Sequence, residues 1–259
     1  MMLNFTNGSS NLSRIDWTAF DGVVAGYWLS LWEHEPPTIF NIPDKIYRSM
    51  FLYGNKHHKP HPDSGCETLT DWVRWKVGQF PQVTEWVLVN EFTDDFGNPY
   101  TDYKIDDLKR YFEAAYLANP NAKLILGDFK PYLLSKWDKI SAIADELKAT
   151  GFPVEIGVQF HLKHSGSDVF KNNAPIVLVL MPELLQKFNV PVHFFEVSLW
   201  YKEPSDLAFC GQLWGDLTAI ANNHQVKSFC PWWLYQDDAN IGRRMPTFEG
   251  LTFYSPVSK

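Results

Sequence analysis

Basic charge is in short supply along these 259 residues: 23 Lys+Arg stand against 30 Asp+Glu, a formal net charge of −7. A nucleic-acid backbone demands a basic field, so nucleic acid is excluded as a partner. Long apolar runs are also missing. No stretch reaches the roughly 20 residues of a membrane span, and residues 1–20 lack a basic-then-apolar leader. Cysteine is scarce, and Cys66, Cys210 and Cys230 are too scattered for a disulfide framework, which leaves buried thiols as the simpler reading. No Gly-x-Gly-x-x-Gly follows a strand-like run and no Gly-Lys-Ser/Thr loop occurs, which removes the usual nucleotide sites of an α/β chain. A Gly-x-Ser-x-Gly elbow is absent too, so a serine hydrolase of that kind is not expected. What is abundant is aromatic: 11 Trp, 11 Tyr and 19 Phe make up 16% of the chain. Rings without basic charge suit core packing or an uncharged ring-shaped ligand such as a sugar.

Three tripeptides, beginning at Asn4, Asn7 and Asn11, have the form of glycosylation sequons, a pattern common by chance. With no low-complexity linker and no repeat of fixed length, residues 1–259 read as a single domain. From residue 84 onward, short β-rich runs alternate with helix-period segments. Glu85 to Val89, Lys123 to Gly127, Pro153 to Val158, Pro191 to Phe195 and Val226 to Pro231 read as strands. Between them Leu108, Tyr111, Phe112 and Ala115 share one helical face, as do Leu133, Trp137, Ile140, Ala144 and Leu147. Met181, Leu184, Leu185 and Phe188 mark a further helix, and Leu213, Leu217 and Ile220 another. Leu3 to Phe5, Gly22 to Ala25 and a weaker Lys56 to Lys59 would supply three more strands. Eight strands in a chain of this length predict a compact (β/α)8 TIM barrel with a shortened N-terminal unit.

Chemistry in such a barrel sits where strands give way to loops. Glu91 closes the run Trp86-Val87-Leu88-Val89-Asn90, and Glu196 closes Val192-His193-Phe194-Phe195. A carboxylate after so many apolar residues is costly to desolvate unless it is paired or used, and no basic residue lies close in sequence to either. The two belong to strands three units apart, which face each other across a barrel mouth. Glycoside hydrolysis needs such a pair, one carboxyl held protonated for the leaving oxygen and the other ionised toward the anomeric carbon. His57, His58, His61, Asp63 and Cys66 invite a metal reading, but Pro60 and Pro62 break any helix that would space them as ligands. No metal and no cofactor is expected.

Trp86-Val87-Leu88-Val89-Asn90-Glu91 resembles the W-D-V-V-N-E signature of glycoside hydrolase family 10, the endo-β-1,4-xylanases. The likeness runs along nearly the whole chain. Phe20 to Val24 with Trp32 resembles the family's second-strand region, and Asn119 to Leu124 followed by Asp128-Phe129 resembles D-P-N-A-K-L…N-D-Y. Gly157 to Leu162 resembles G-L-Q-S-H-L, Phe195-Glu196-Val197 resembles T-E-L, and Trp233 to Asp237 resembles W-G-V-S-D. The resemblance implies a retaining double displacement on β-1,4-linked glycans, xylan or xylo-oligosaccharides first, with Glu91 as acid/base and Glu196 as nucleophile. It also implies that Asn90 binds the sugar 2-hydroxyl, that His161 orients the nucleophile, and that Gln159 and Trp233 line the sugar subsites.

The chain departs from the family on the glycone side. Tyr27 to Trp32 replaces N-E-M-K-W, so Trp28 and Trp32 would stack where the family hydrogen-bonds. Lys56 to Pro62 replaces G-H-T-L-V-W-H, with His61 nearest the expected histidine and His57 or His58 as substitutes. Gly127-Asp128-Phe129-Lys130 replaces N-D-Y-N. Two other readings stay open: a related barrel glycosidase acting on β-glucan or mannan, and a carbohydrate-binding barrel without turnover. The expected partner is a polysaccharide or oligosaccharide, with no nucleic acid and no membrane. The expected state is a monomer working outside the cell.

Overall fold

The computed structural model describes residues 2–5, 22–25, 46–54, 58–60, 62–164, 174–201 and 207–231. Eight strands lie side by side in chain order, every neighbouring pair parallel: β1 (Met2–Phe5), β2 (Gly22–Ala25), β3 (Ile46–Tyr53), β4 (Glu85–Asn90), β5 (Lys123–Asp128), β6 (Val154–His164), β7 (Val192–Tyr201) and β8 (Ser228–Pro231). β1 lies against β8, closing the sheet into a (β/α)8 barrel. The described helices are α1 (Leu69–Gln79), α2 (Ile105–Ala118), α3 (Leu134–Lys148), α4 (Ala174–Gln186) and α5 (Leu207–Asn223). None is long and apolar enough to cross a membrane.

Local chemistry accounts for these elements. All six residues of β4 are buried, as a parallel strand covered on both faces requires. Thr68 caps α1 by accepting from the Asp71 amide at 3.1 Å. Asp106 and Asp107 sit in the first turn of α2, where the helix dipole favours negative charge. Most of the predicted helical faces are buried, Leu108, Tyr111, Phe112 and Ala115 on α2 and Trp137, Ile140, Ala144 and Leu147 on α3, whereas Leu133 just before α3, Phe188 just past α4 and Ile220 on α5 are only part-buried. Edge-on ring pairs such as Phe160–Phe194, with centroids 4.6 Å apart, and the tilted pair Phe51–Trp72 at 4.9 Å fill the core.

Three expectations are corrected. The third strand is Ile46–Tyr53, not Lys56 to Lys59; the latter run is polar and ends at Pro60, and its described residues are in no strand. β6 and β7 run on to His164 and Tyr201, so Glu196 lies within its strand rather than at its end. Cys66 is only part-buried, while Cys230 is fully buried, and burial pushes its thiol up to about 12. The expected shortening of the N-terminal unit falls on 6–21 and 26–45, outside the described residues.

The N-terminal end of the barrel is closed by a buried polar cluster. Arg48 on β3 donates to Glu85 on β4 through Nε at 2.9 Å and Nη2 at 2.5 Å, and its Nη2 also meets His193 Nδ1 at 2.8 Å and Ser228 Oγ at 2.9 Å. A guanidinium only donates, so His193 Nδ1 accepts, and Nε2 donates to Glu155 Oε2 at 2.5 Å. Burial pushes the Glu85 carboxyl up, but its cationic surroundings, Arg48 foremost, outweigh it and hold its pKa at about 2. This is the face of a barrel where such interactions serve stability. The site must lie at the other end.

Candidate active site

At the C-terminal end, both carboxylate strands are locally irregular. β4 holds one residue more than β5 between Val87 and Val89. β7 holds one more than β8 between Phe194 and Val197, and β6 meets the same extra residue. Such bulges bend a strand and re-aim the side chains that follow. Two residues past the first bulge, and within the second, stand Glu91 with φ 52° and Glu196 with φ 53°. Only two other described non-glycine residues, Lys130 and Gln225, share that left-handed region. An L-residue there costs on the order of 1–2 kcal/mol, and such strain gathers at functional sites.

Glycines make the floor. Phe195, buried next to Glu196, crosses the barrel interior over β5 and β6, packing with Val87, Ile125 and Cys230. A Cβ at Gly157 would come 1.6 Å from the Phe195 ring, and one at Gly127 would come 2.5 Å from Asn90 Oδ1 and 2.6 Å from Phe195. Both positions must therefore lack a side chain if Phe195 and Asn90 are to occupy the interior.

Above that floor runs a directed chain of hydrogen bonds. Gln159 Nε2 donates to Asn90 Oδ1 at 2.7 Å, and Asn90 Nδ2 donates to Glu196 Oε1 at 3.2 Å. Gln159 and Asn90 are fully buried and Glu196 nearly so. The chain crosses the mouth from β6 to β4 to β7, so the residue beside Glu91 touches Glu196. Each amide points a donor toward the carboxylate, the arrangement an ionised acid requires. Gln159 Oε1 is buried with no hydrogen-bond partner among the described residues. Glu91 itself is partly exposed, and its backbone N–H donates to Gly127 O at 2.9 Å. The Tyr100 phenol nearby is pushed up, first by burial and then by Asp128, Asp94, Asp95 and Glu91.

Four of the sequence-predicted residues, Glu91, Glu196, Asn90 and Gln159, thus gather at one mouth. His161 lies two positions beyond Gln159 on β6, opposite Ser198, with its side chain outside the described residues. Trp233, His61, Trp28 and Trp32 lie outside the described residues altogether. Sequence reading met Asp128 only within the family likeness and gave it no role; it is fully buried at the end of β5 and bonded to Thr93 and Lys136. The signal was present: Asp128 follows the apolar run Leu124-Ile125-Leu126-Gly127 just as Glu91 follows its own.

The sequence model of glycosyl hydrolase family 10 matches residues 51–190. No curated protein gives a significant match. Among solved structures, the chain is similar to the xylanase XynB from Paenibacillus barcinonensis, solved with a conduramine derivative, at TM-score 0.70 and 18% identity over 94% of this chain and 88% of that one. It is also similar to a GH10 endoxylanase from a sugarcane soil metagenome, at TM-score 0.72 and 14% identity over 94% and 90%. A third similar structure is the intracellular xylanase TsXylA from Thermoanaerobacterium saccharolyticum, at TM-score 0.66 and 17% identity over 92% and 89%. At these identities the likeness speaks for the fold.

Proposed function

Because the chain belongs to glycosyl hydrolase family 10 and is therefore a glycoside hydrolase, we propose that it cleaves β-1,4-linked glycans, xylan or xylo-oligosaccharides first, by a retaining double displacement. The observation that carries this reading is the 3.2 Å bond from Asn90 to Glu196, which joins the strand bearing Glu91 to the facing carboxylate. Glu196, held by the Asn90 amide, attacks the anomeric carbon. Glu91 gives its proton to the departing oxygen, then takes one from the water that releases the sugar.

The side chains around the pair serve the charge that develops. Asn90 binds the 2-hydroxyl of the sugar being cleaved, a contact that strengthens toward the transition state. Gln159 Oε1, buried and without a partner among the described residues, supplies the acceptor for a further sugar hydroxyl. His161 orients Glu196, while Trp233, Trp28, Trp32 and His61 line the subsites. The xylanase activity of the similar structures is what puts xylan first. We place the enzyme outside the cell, as a monomer, since a polymeric glycan is met there.

The test is a hydrolysis panel of xylan, β-glucan, mannan and short aryl glycosides, run beside Glu196→Ala. Xylan should be cleaved fastest, and Glu196→Ala should lose at least about 1,000-fold in kcat, the scale of removing a nucleophile. Cleavage of mannan or β-glucan in preference to xylan would overturn the substrate. Sugar binding with no cleavage of any substrate would overturn the enzyme.

A further inference from the structure

Glu91 must do more than be present. A proton donor acts only within hydrogen-bond reach of the leaving oxygen, and a misplacement of about 1 Å can cost about 100-fold. Yet Glu91 stands just past the end of β4, partly exposed, in a backbone conformation that an L-residue resists. Something has to hold it there.

The last two residues of β5 do so from both sides. Gly127 O takes the Glu91 N–H at 2.9 Å. Asp128 Oδ2 takes both the N–H of Thr93 at 3.1 Å and its hydroxyl at 2.7 Å. Asp128 Oδ1 accepts from Lys136 Nζ at 2.7 Å and from the Phe129 amide at 2.7 Å. Thr93, Asp128 and Lys136 are all fully buried, and the Lys136 ammonium lies 4.0 Å from the centroid of the Phe129 ring. The far end of the same loop is seated on the same helix. Gly97, at φ 75°, lies so close to Lys136 that a Cβ would meet its carbonyl oxygen at 2.8 Å. Asp95 holds Lys130 at 2.6 Å, and Asn98 accepts from Lys139 at 2.8 Å.

Four donors fill the four acceptor sites of the Asp128 carboxylate, so it acts through the Glu91–Thr93 backbone and not on the sugar. A buried ion pair gives little net stability over an apolar pair of the same size. Its value here is geometric. We propose that the Asp128–Thr93–Lys136 cluster is a positioning device for the proton donor, with Asp128 the positioning residue that fixes Glu91 over the leaving oxygen. This rests on the reading of Glu91 as acid/base.

The experiment compares kcat/KM for phenyl and dinitrophenyl β-xylobiosides (or the matching cellobiosides, if the panel selects β-glucan) in wild type, Asp128→Asn, Thr93→Val and Glu91→Ala. kcat/KM reports the first bond cleavage, which needs a proton donor for phenol but not for dinitrophenol. Asp128→Asn should lose about 10- to 100-fold in kcat/KM on the phenyl glycoside, with KM for that substrate changed less than about twofold, and less than about threefold in kcat/KM on the dinitrophenyl one. Thr93→Val keeps the side-chain shape and removes one bond. It should show the same selectivity at smaller size, and it carries the test if Asp128→Asn does not fold. Equal losses on the two leaving groups in these variants, beside a selective loss in Glu91→Ala, would overturn the positioning role alone. A Glu91→Ala loss that is blind to the leaving group would overturn the acid/base assignment and the inference with it.

Discussion

At the scale of single residues, the strongest mark of function is backbone conformation. Glu91 and Glu196 both occupy the left-handed region, where glycine is at ease and alanine is not. If that strain is held for the sake of side-chain aim, removing the carboxylate and the Cβ together should relieve it. Glu196→Gly is expected to be more stable than Glu196→Ala by about 1 kcal/mol, a Tm about 2–4 °C higher for a chain this long. Thermal unfolding of the two inactive variants measures this directly. An alanine variant as stable as the glycine one would show that the conformation carries no strain. No sequence pattern announced this feature; glutamate is not a residue in which a positive φ is sought.

At the scale of elements, β4 to β8 were legible because parallel strands buried on both faces read as apolar runs, and the helices between them because one face repeats at the helical period. β3 was not, because Arg48 and Ser49 interrupt Ile46-Tyr47 and Met50-Phe51-Leu52-Tyr53. Arg48 looks like a surface residue in sequence and is buried at the barrel base, its charge answered by Glu85. The ends of β6 and β7 were misjudged for a related reason: Gln159 and Glu196 are polar residues inside strands, and the bulge that turns Glu196 toward the mouth leaves no trace in composition.

The base cluster also sets the acid stability. Glu85 ionises at about 2 in the fold against an ordinary 4.5, so its contribution is present above about pH 4.5 and is lost as pH falls toward 2. The shift corresponds to on the order of 3 kcal/mol. His193, lowered first by burial and then by Arg48, stays neutral in the fold while the unfolded chain takes up a proton below about pH 6.5. It therefore weakens the fold in the same direction as pH drops. Urea midpoints should decline from about pH 6 to pH 3, and Glu85→Gln, less stable at pH 7, should converge on wild type near the acid end. Parallel pH curves for the two would contradict this account.

At the scale of the whole molecule, the aromatic excess and the acidic balance divide between two tasks. Buried rings such as Trp86, Trp137, Phe160 and Phe194 build the barrel and its helical coat. Acidic groups, in contrast, gather toward the C-terminal end around Tyr100, where Asp128 and Asp95 are answered by Lys136 and Lys130. The pair of carboxylates was readable from two apolar runs that each end in glutamate. The frame that aims them was not, since it depends on contacts between β4, β5, β6 and β7 that are far apart in sequence. Asn90 reaches Glu196 across 106 positions, and Gln159 reaches Asn90 across 69.

The central claim is that these two glutamates work by double displacement. Proton NMR of the first product released from a xylo-oligosaccharide tests it most directly, before the sugar mutarotates. Two inversions at the anomeric carbon predict a product that appears first as the β-anomer. A product that appears first as the α-anomer would mean a single displacement by water, and would contradict the assignment of Glu196 as nucleophile.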